Sequence, residues 1–361
     1  MPRVISTENP GADVRRYLRR WSNTSHLEQQ IQARHPGTAA EKRRRKARDI
    51  SATVSQGIEL LETAAAASVL TKPLPLFYAA EAFVKAASMM SDPTLEATDF
   101  RAHGLRGVKA QRYFIRTLSC QVANPGSDVW SRLTQLLNGD WTRLTLTRDG
   151  EGSINDYLTP RPGPPPPPAT ELVLGELLRH IPELAEDLPS ASFSHPYVVH
   201  VRDMTVIETT APVPTAHVTF TLRHAHNAAT KQMLIEHEGP RGYLRSHTRT
   251  GDRLDVLFYS AVANTLTMIT RAPPVEDIFG ELYSDFARSR QHLSEFATYY
   301  AALFILADAV RYQGQWTRLL DEHPSEAVLI ERFMEIALRK LPNLTLNHLD
   351  QGVYLFKVGG A

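Results

Sequence analysis

The sequence predicts a helix-dominated α+β protein with an N-terminal helical block, a strand-rich middle and a C-terminal helical block. Three observations predict it. Apolar residues recur every three or four positions up to about residue 146 and again from residue 289. Short runs rich in Val, Ile, Thr and aromatics, broken by Pro, Gly, Asn and Asp, fill the middle. A proline run separates the two regimes.

The 361 residues are 42% apolar and 22% charged, a globular balance with length enough for two domains of ordinary size. The formal charge of +1 predicts neither a basic coat over the whole surface nor an acidic tail. Cys120 is the only cysteine, so a disulfide or a cysteine-based zinc cage within one chain is excluded and a reducing cytoplasm fits. Arg3, Arg15, Arg16, Arg19 and Arg20 are followed by no apolar block, unlike a secretory signal. The longest apolar stretch, Tyr299 to Val310, is interrupted by Asp308. It falls short of the roughly 18 to 20 residues that cross a bilayer. The expectation is a cytoplasmic protein with no membrane partner.

In chain order, Glu41 to Leu70 carries Ile50, Val54, Ile58 and Leu61 at helical steps, and Leu76 to Met90 is an Ala-rich helix beginning after Pro73 and Pro75. The short turn between them predicts an antiparallel hairpin. Gly107 to Val122 reads as a further helix, and Val129 to Leu146 as a short helix followed by a strand. The segment 159–170, with five consecutive prolines at 164 to 168, predicts an extended polyproline strut dividing residues 1–158 from 171–361. It serves either as an interdomain linker or as a connector inside one domain. Glu171 to Leu188 reads as a helix. Tyr197 to Thr209, Ala216 to Leu222, Gln232 to His237 and Leu254 to Ser260 read as strands. Ser289 to Val310 and Glu326 to Leu341 read as two helices, the second ending at Pro342.

Several separated pieces carry a family resemblance. The first hairpin has Ala64 to Ala67, Thr71-Lys72-Pro73-Leu74, Phe77-Tyr78 and Ala82 to Ala86, followed by His103-Gly104-Leu105. The last third has Tyr299 and Tyr300, the apolar run to Val310, Arg311-Tyr312, Trp316, Leu341-Pro342-Asn343, Asn347 and Leu349. In order and spacing these resemble the YaaC-like family of bacterial proteins over nearly the whole length. The resemblance implies a fold and a bacterial setting, and no reaction. Because its pieces lie in the first and last helical blocks, it points to the place where those blocks meet, near Lys72, His103 and Arg311. In layout alone, the hairpin followed by His-Gly is also similar to the HEPN group of helical domains. Several of those are RNases of toxin and phage-defence systems, with Arg and His four to six residues apart. Arg318 and His323, Arg20 and His26, and Arg241 and His247 have that spacing, which a chain with 14 His also produces by chance.

From Asp13 to Asp49 there are eleven Lys or Arg against four acids, a local charge of +7. The densest part is Lys42, Arg43, Arg44, Arg45, Lys46 and Arg48. Such a patch attracts phosphate by counterion release, and Tyr17 and Trp21 could stack on bases. The alternative is a solvated helix start with the Trp in the core. Positive charge at a helix start opposes the dipole, so a compensating partner is expected. His195, His200, His217, His224, His226 and His237 gather in the strand region near Glu236 and Glu238. His224 and His226 would share a strand face, but a third ligand at defined spacing is missing. There is no Gly-x-Ser-x-Gly elbow, Walker loop or Gly-x-Gly-x-x-Gly, so no cofactor and no metal is expected. Cys120 is expected to be a buried inert thiol in a helix.

Within the resembling stretches, Lys72, Tyr78, Arg311, Tyr312 and Trp316 are the binding candidates, with Lys72 or Arg311 holding an anion. His103 is the candidate acid or base, beside Arg318 and His323. Each also has a structural reading: a turn residue for Lys72, a core anchor for Trp316, a helix C-terminal charge for Arg311 and a cap partner for His103. The function expected is binding of a nucleic acid, nucleotide or protein partner without a recognisable catalytic motif. The alternative is an RNase-like effector in stress or phage defence.

Overall fold

Two asparagines start the first helices. The chain passes from β1 (Arg3–Thr7) into α1 (Pro10–Arg19), where the Asn9 side chain accepts the Ala12 amide at 3.1 Å, and then into α2 (Thr24–Arg34), where Asn23 accepts the His26 amide at 3.0 Å. The computed structural model describes residues 3–109, 114–124, 126–136, 141–148, 154–160, 167–184, 187–191, 193, 198–209, 215–222, 244–250, 253–259, 265–271, 282–285, 293–312, 316–352 and 354–358. For the strands in 141–160 and 198–285 the description is of the backbone. The chain divides into two compact units: residues 1–138, 164–178 and 293–361 form one, and residues 139–163 and 179–292 the other. The linear division expected around 159–170 is thus a discontinuous one in space, and the chain recrosses between units inside the proline-rich segment. Residues 161–166 lie outside the described residues.

In the first unit, α3 (Ala40–Ala66) buries Ile50, Val54, Ile58 and Leu61, the stripe its sequence marks out. It packs along α4 (Pro73–Ser91) as the expected hairpin. α4 begins at Pro73, earlier than Leu76, because both prolines fall in the first turn, where a missing N–H costs nothing. Gly57 is what lets the two helices close. A Cβ there would stand 2.6 Å from Cδ1 of Phe83.

The helix expected over Gly107 to Val122 is not formed. Its ends are β2 (Leu105–Gly107) and β3 (Ser119–Val122), which pair antiparallel, and β3 also pairs with β6 (Glu171–Val173). The reason lies in the local period. Leu118, Cys120 and Val122 are buried while Gln121 between the last two is exposed, an alternation only a strand can bury. Cys120 is therefore a strand residue. Its thiol is buried, as expected, and burial, then the nearby carboxylates Asp308 and Glu171, push its pKa up. Val129 to Leu146 forms the expected helix and strand, α5 (Val129–Leu136) and β4 (Trp141–Arg148). The helix expected over Glu171 to Leu188 shrinks to α6 (Leu174–Leu178), because Glu171 to Val173 joins the sheet and Pro182 interrupts the chain beyond Leu178.

The C-terminal helices are α7 (Glu295–Tyr312), α8 (Trp316–Glu322) and α9 (Pro324–Asp350). α9 does not stop at Leu341. It runs through Pro342, where the carbonyl of Leu338 loses its helical donor. That loss costs about 3 kcal/mol. Burial of Leu341, Leu344, Leu346 and Leu349 beyond it offsets the loss at roughly 1.5 to 3 kcal/mol each. The helix ends at Gln351 in the left-handed conformation, and the Asn347 side chain then takes the Tyr354 amide at 3.0 Å to start β13 (Tyr354–Val358). β13 pairs parallel with β1.

The second unit is built on an eight-stranded sheet that also contains β5 (Ile154–Pro160), β7 (Val198–Thr209), β8 (Thr215–Leu222), β9 (Leu244–Thr250), β10 (Arg253–Tyr259), β11 (Thr265–Arg271) and β12 (Leu282–Asp285). The order is β5-β4-β11-β12-β7-β8-β10-β9, antiparallel throughout. Three expected strands are present as β7, β8 and β10. The expected strand Gln232 to His237 lies outside the described residues, and β9, β11 and β12 were not expected from the sequence. The protein is a helix-dominated α+β chain with helical blocks at both ends. Among the described residues no helix is long and apolar enough to cross a membrane.

The α3–α4 contact gives a first test. Ala in place of Gly57 gains helix propensity of about 1 kcal/mol but overpacks against Phe83 by about 1 to 3 kcal/mol. Denaturant unfolding should show Gly57→Ala less stable than the wild type. Gly37→Ala, with no atom within 4 Å of the added Cβ, should be neutral or slightly stabilising.

Candidate functional site

α4 is buried on nearly every side, packed by α3, α5, α7 and α9, and Ala, Phe, Val and Met fill most of it. One carboxylate stands in that surface, Glu81, 7% exposed. An ion so placed costs several kcal/mol unless it is paired. Lys85, one turn on, brings its ammonium to 2.5 Å from Oε1, and His103 brings Nδ1 to 2.8 Å from Oε2. The imidazole contact is close but off the hydrogen-bond line, so it acts mainly as a charge contact. Burial raises the Glu81 carboxyl's pKa; the His103 and Lys85 contacts outweigh it and hold the group below the usual carboxylate range.

His103 is held by its backbone as firmly as by its ring. Its carbonyl accepts the Trp130 amide at 3.1 Å and the Tyr300 hydroxyl at 3.1 Å. The next residue, Gly104, has φ +80, and a Cβ there would lie 2.6 Å from Cβ of Trp130 and collide with Asp128. Only glycine fits that turn. Asp128 in turn caps α5 through the Ser131 amide at 2.7 Å. Burial, then the charges of Glu81 and Asp128, raise the Tyr300 pKa well above its ordinary value, so its hydroxyl remains a neutral donor.

Around the imidazole lies an aromatic floor. The Phe77 ring is 5.3 Å from His103 edge-on, 5.3 Å from Tyr300 and 5.5 Å from Phe304. Tyr78 lies 6.3 Å from His103, and its hydroxyl accepts Arg311 at 2.5 Å. α4 and α7 thus bring Tyr78, His103 and Arg311, separated by more than 200 residues of chain, to one rim. A third of the His103 side chain reaches solvent.

The other candidates are placed elsewhere. Lys72 is half-buried at the head of α4 and makes no side-chain ion pair among the described residues. It gains no anion site from the helix start. Pro73 and Pro75 lack N–H groups, and the Leu74 and Leu76 amides are taken by the Thr71 and Lys72 carbonyls. Trp316 is buried, and the Tyr312 side chain lies outside the described residues. Arg318 pairs with Glu322 at 2.5 Å on an exposed face, and His323 packs on Phe114 at 4.4 Å. These two share no polar cleft. Trp21 is buried and its ring meets His26, while Tyr17 packs on Tyr354 and Phe356, so neither is offered to a base. Of the basic run, Arg43 donates to Gln32 and Arg45 pairs with Glu96, the compensating partners expected for charge at a helix start. Lys46 is buried, with Nζ on the Asp92 and Leu95 carbonyls at 2.7 and 2.8 Å, and burial, opposed by Asp92, brings its pKa down to about 8.

His200 and His217 lie on β7 and β8; His195, His224, His226, His237, Glu236, Glu238 and Arg241 lie outside the described residues. Among the described residues no three His, Cys, Asp or Glu gather as metal ligands. Sequence reasoning missed Glu81 and Lys85. The signal was present: an acid inside an Ala-Phe-Val-Met helix, with a Lys four residues on.

A family model, YaaC-like Protein, matches residues 16–349. The chain belongs to the YaaC-like family. The match takes in both helical blocks, and every residue of the rim falls inside it. Neither the curated proteins nor the solved structures gave a match.

The paired carboxylate makes a pH-dependent prediction. The folded-state pKa of Glu81 lies below 4.5, so its contacts stabilise the fold above that pH and are lost as pH falls through the lower folded value. Glu81→Gln should lower stability near pH 7 by about 1 to 3 kcal/mol, at the modest end because Lys85 and His103 both reach solvent. The deficit should shrink toward zero in unfolding curves below pH 4.5.

Proposed function

We propose that the chain is a cytoplasmic nucleic-acid- or nucleotide-binding protein that takes phosphate on the exposed start of α3 and carries no conventional catalytic motif. One observation carries this reading. Arg44 and Arg48 are exposed one turn apart and have no acid partner among the described residues, while Arg43, Arg45 and Lys46 are occupied by the protein. Half-buried Lys42 precedes them. Adjacent unpaired guanidinium groups release counterions when they meet phosphates. The buried lone cysteine fits a reducing compartment.

A second reading, an RNase-like effector of stress or phage defence, is favoured by one different observation. His103 is fixed by backbone and side-chain contacts against a buried carboxylate, as an acid or base needs to be.

Fluorescence anisotropy with single-stranded RNA and DNA tests the first reading. Arg44→Glu with Arg48→Glu should abolish salt-sensitive binding, as should reversal of Arg43, Arg44 and Arg45 together, and neutralising Arg44 alone should reduce the salt slope by about 0.7 to 0.9. Unchanged binding in the double variant would sink it. For the second reading, total RNA incubated with the protein should be cleaved by the wild type and left intact by His103→Ala; intact RNA in both removes the enzyme.

A further inference from the structure

Three hydrogen-bonding side chains that packing does not require converge on one aromatic ring. Arg311 reaches the Tyr78 hydroxyl, with its guanidinium carbon 5.4 Å from the ring centre, and His103 stands 6.3 Å from the same centre. All three are partly exposed. Each is carried by a rigid support: α7 for Arg311, α4 for Tyr78, and for His103 the turn fixed by Trp130, Tyr300 and Gly104. A guanidinium offers five N–H donors in a planar fork, so it serves a protein hydroxyl and an oxyanion together.

We infer that Arg311, Tyr78 and His103 form a binding subsite for a phosphorylated small molecule of nucleotide type, with the phosphoryl group on Arg311 and a ligand hydroxyl or ring nitrogen on His103. The Tyr78 ring supplies the apolar surface that a sugar or base needs and a bare ion does not. Glu81 is a positioning residue: it touches His103 and Lys85, and acts on the ligand through the imidazole. The other charged groups near the rim are Lys85 on α4, Asp308 on α7 and Asp128 before α5. Asp308 is set against Gly107, where a Cβ would stand 2.7 Å from its Cγ, and Asp128 is engaged in capping α5. The subsite is independent of the α3 reading, since it shares no residue with it.

Calorimetric titration of the full chain with ribose 5-phosphate, joined to NMR of the His103 ring nitrogens, tests the assignment. Saturable binding that perturbs His103 is expected. Tyr78→Phe, which removes one hydroxyl and leaves the packing, and Arg311→Gln should each weaken it about tenfold. Glu81→Gln should keep binding but move its pH dependence to lower pH, since the charge that favours the imidazolium is gone; a purely structural residue would not move that profile. Arg44→Glu with Arg48→Glu should leave the affinity unchanged, which separates this subsite from the α3 reading. Absence of saturable binding overturns the inference, as does wild-type affinity in both Tyr78→Phe and His103→Gln. Inorganic phosphate binding as tightly as ribose 5-phosphate overturns the assignment to a phosphorylated sugar.

Discussion

The buried carboxylate of Glu81 is the constraint around which the first unit is arranged. A helix enclosed by four others has no water to offer an ion. α4 can keep Glu81 only if cations come to it, and one comes from the helix itself, as Lys85, and the other from the loop carrying His103. Placing that loop takes the Gly104 turn, the cap on α5 and the hydroxyl of Tyr300 from α7. An interaction local to α4 thereby ties together residues from the two ends of the chain.

A second closure works by different means. β1 and β13 pair in parallel, and around them Arg3 meets Asp350 and Tyr354, and Arg34 stands 3.9 Å from Asp350 and over the Trp21 ring. Burial, then Asp350, raise the Tyr354 pKa to about 12, so its hydroxyl stays a donor to that carboxylate. Part of the N-terminal positive charge is spent on this closure. That is why eleven basic residues leave so few cations open at the surface.

The helices were legible where apolar period and turn chemistry agree, as in α3, α4 and α7, because one buried stripe decides the matter there. They were misread where tertiary contacts override local pattern. Gly107 to Val122 has apolar residues enough for a helix, but pairing with Glu171 to Val173, some 50 residues away, selects the strand period. Pro342 marks a helix end in isolation and fails to end one whose far side is buried. At the rim, Tyr78, His103 and Arg311 could be named from the sequence, and their meeting follows from the hairpin packing on α7. Glu81 was not named, since a lone acid in an apolar helix tells nothing until its partners are known. Arg318 and His323 show the reverse: a spacing that suggests a site, which the helix surface resolves into an i, i+4 ion pair and a stacked ring.

The open cations on α3 and the rim at Tyr78 differ in kind, and physics assigns them different ligands. Arg44 and Arg48 are long side chains on an exposed helix face, and whatever they bind must order them, so their contribution is chiefly electrostatic and falls with salt. His103 and Arg311 are held before any ligand arrives, so less ordering entropy opposes binding there and the donors' directions discriminate among ligands. A long polyanion suits the first arrangement and a compact ligand with one phosphate and a ring suits the second. The α3 surface supplies attraction without selectivity; the selectivity of this protein has to come from the rim, where burial of one carboxylate has fixed the geometry.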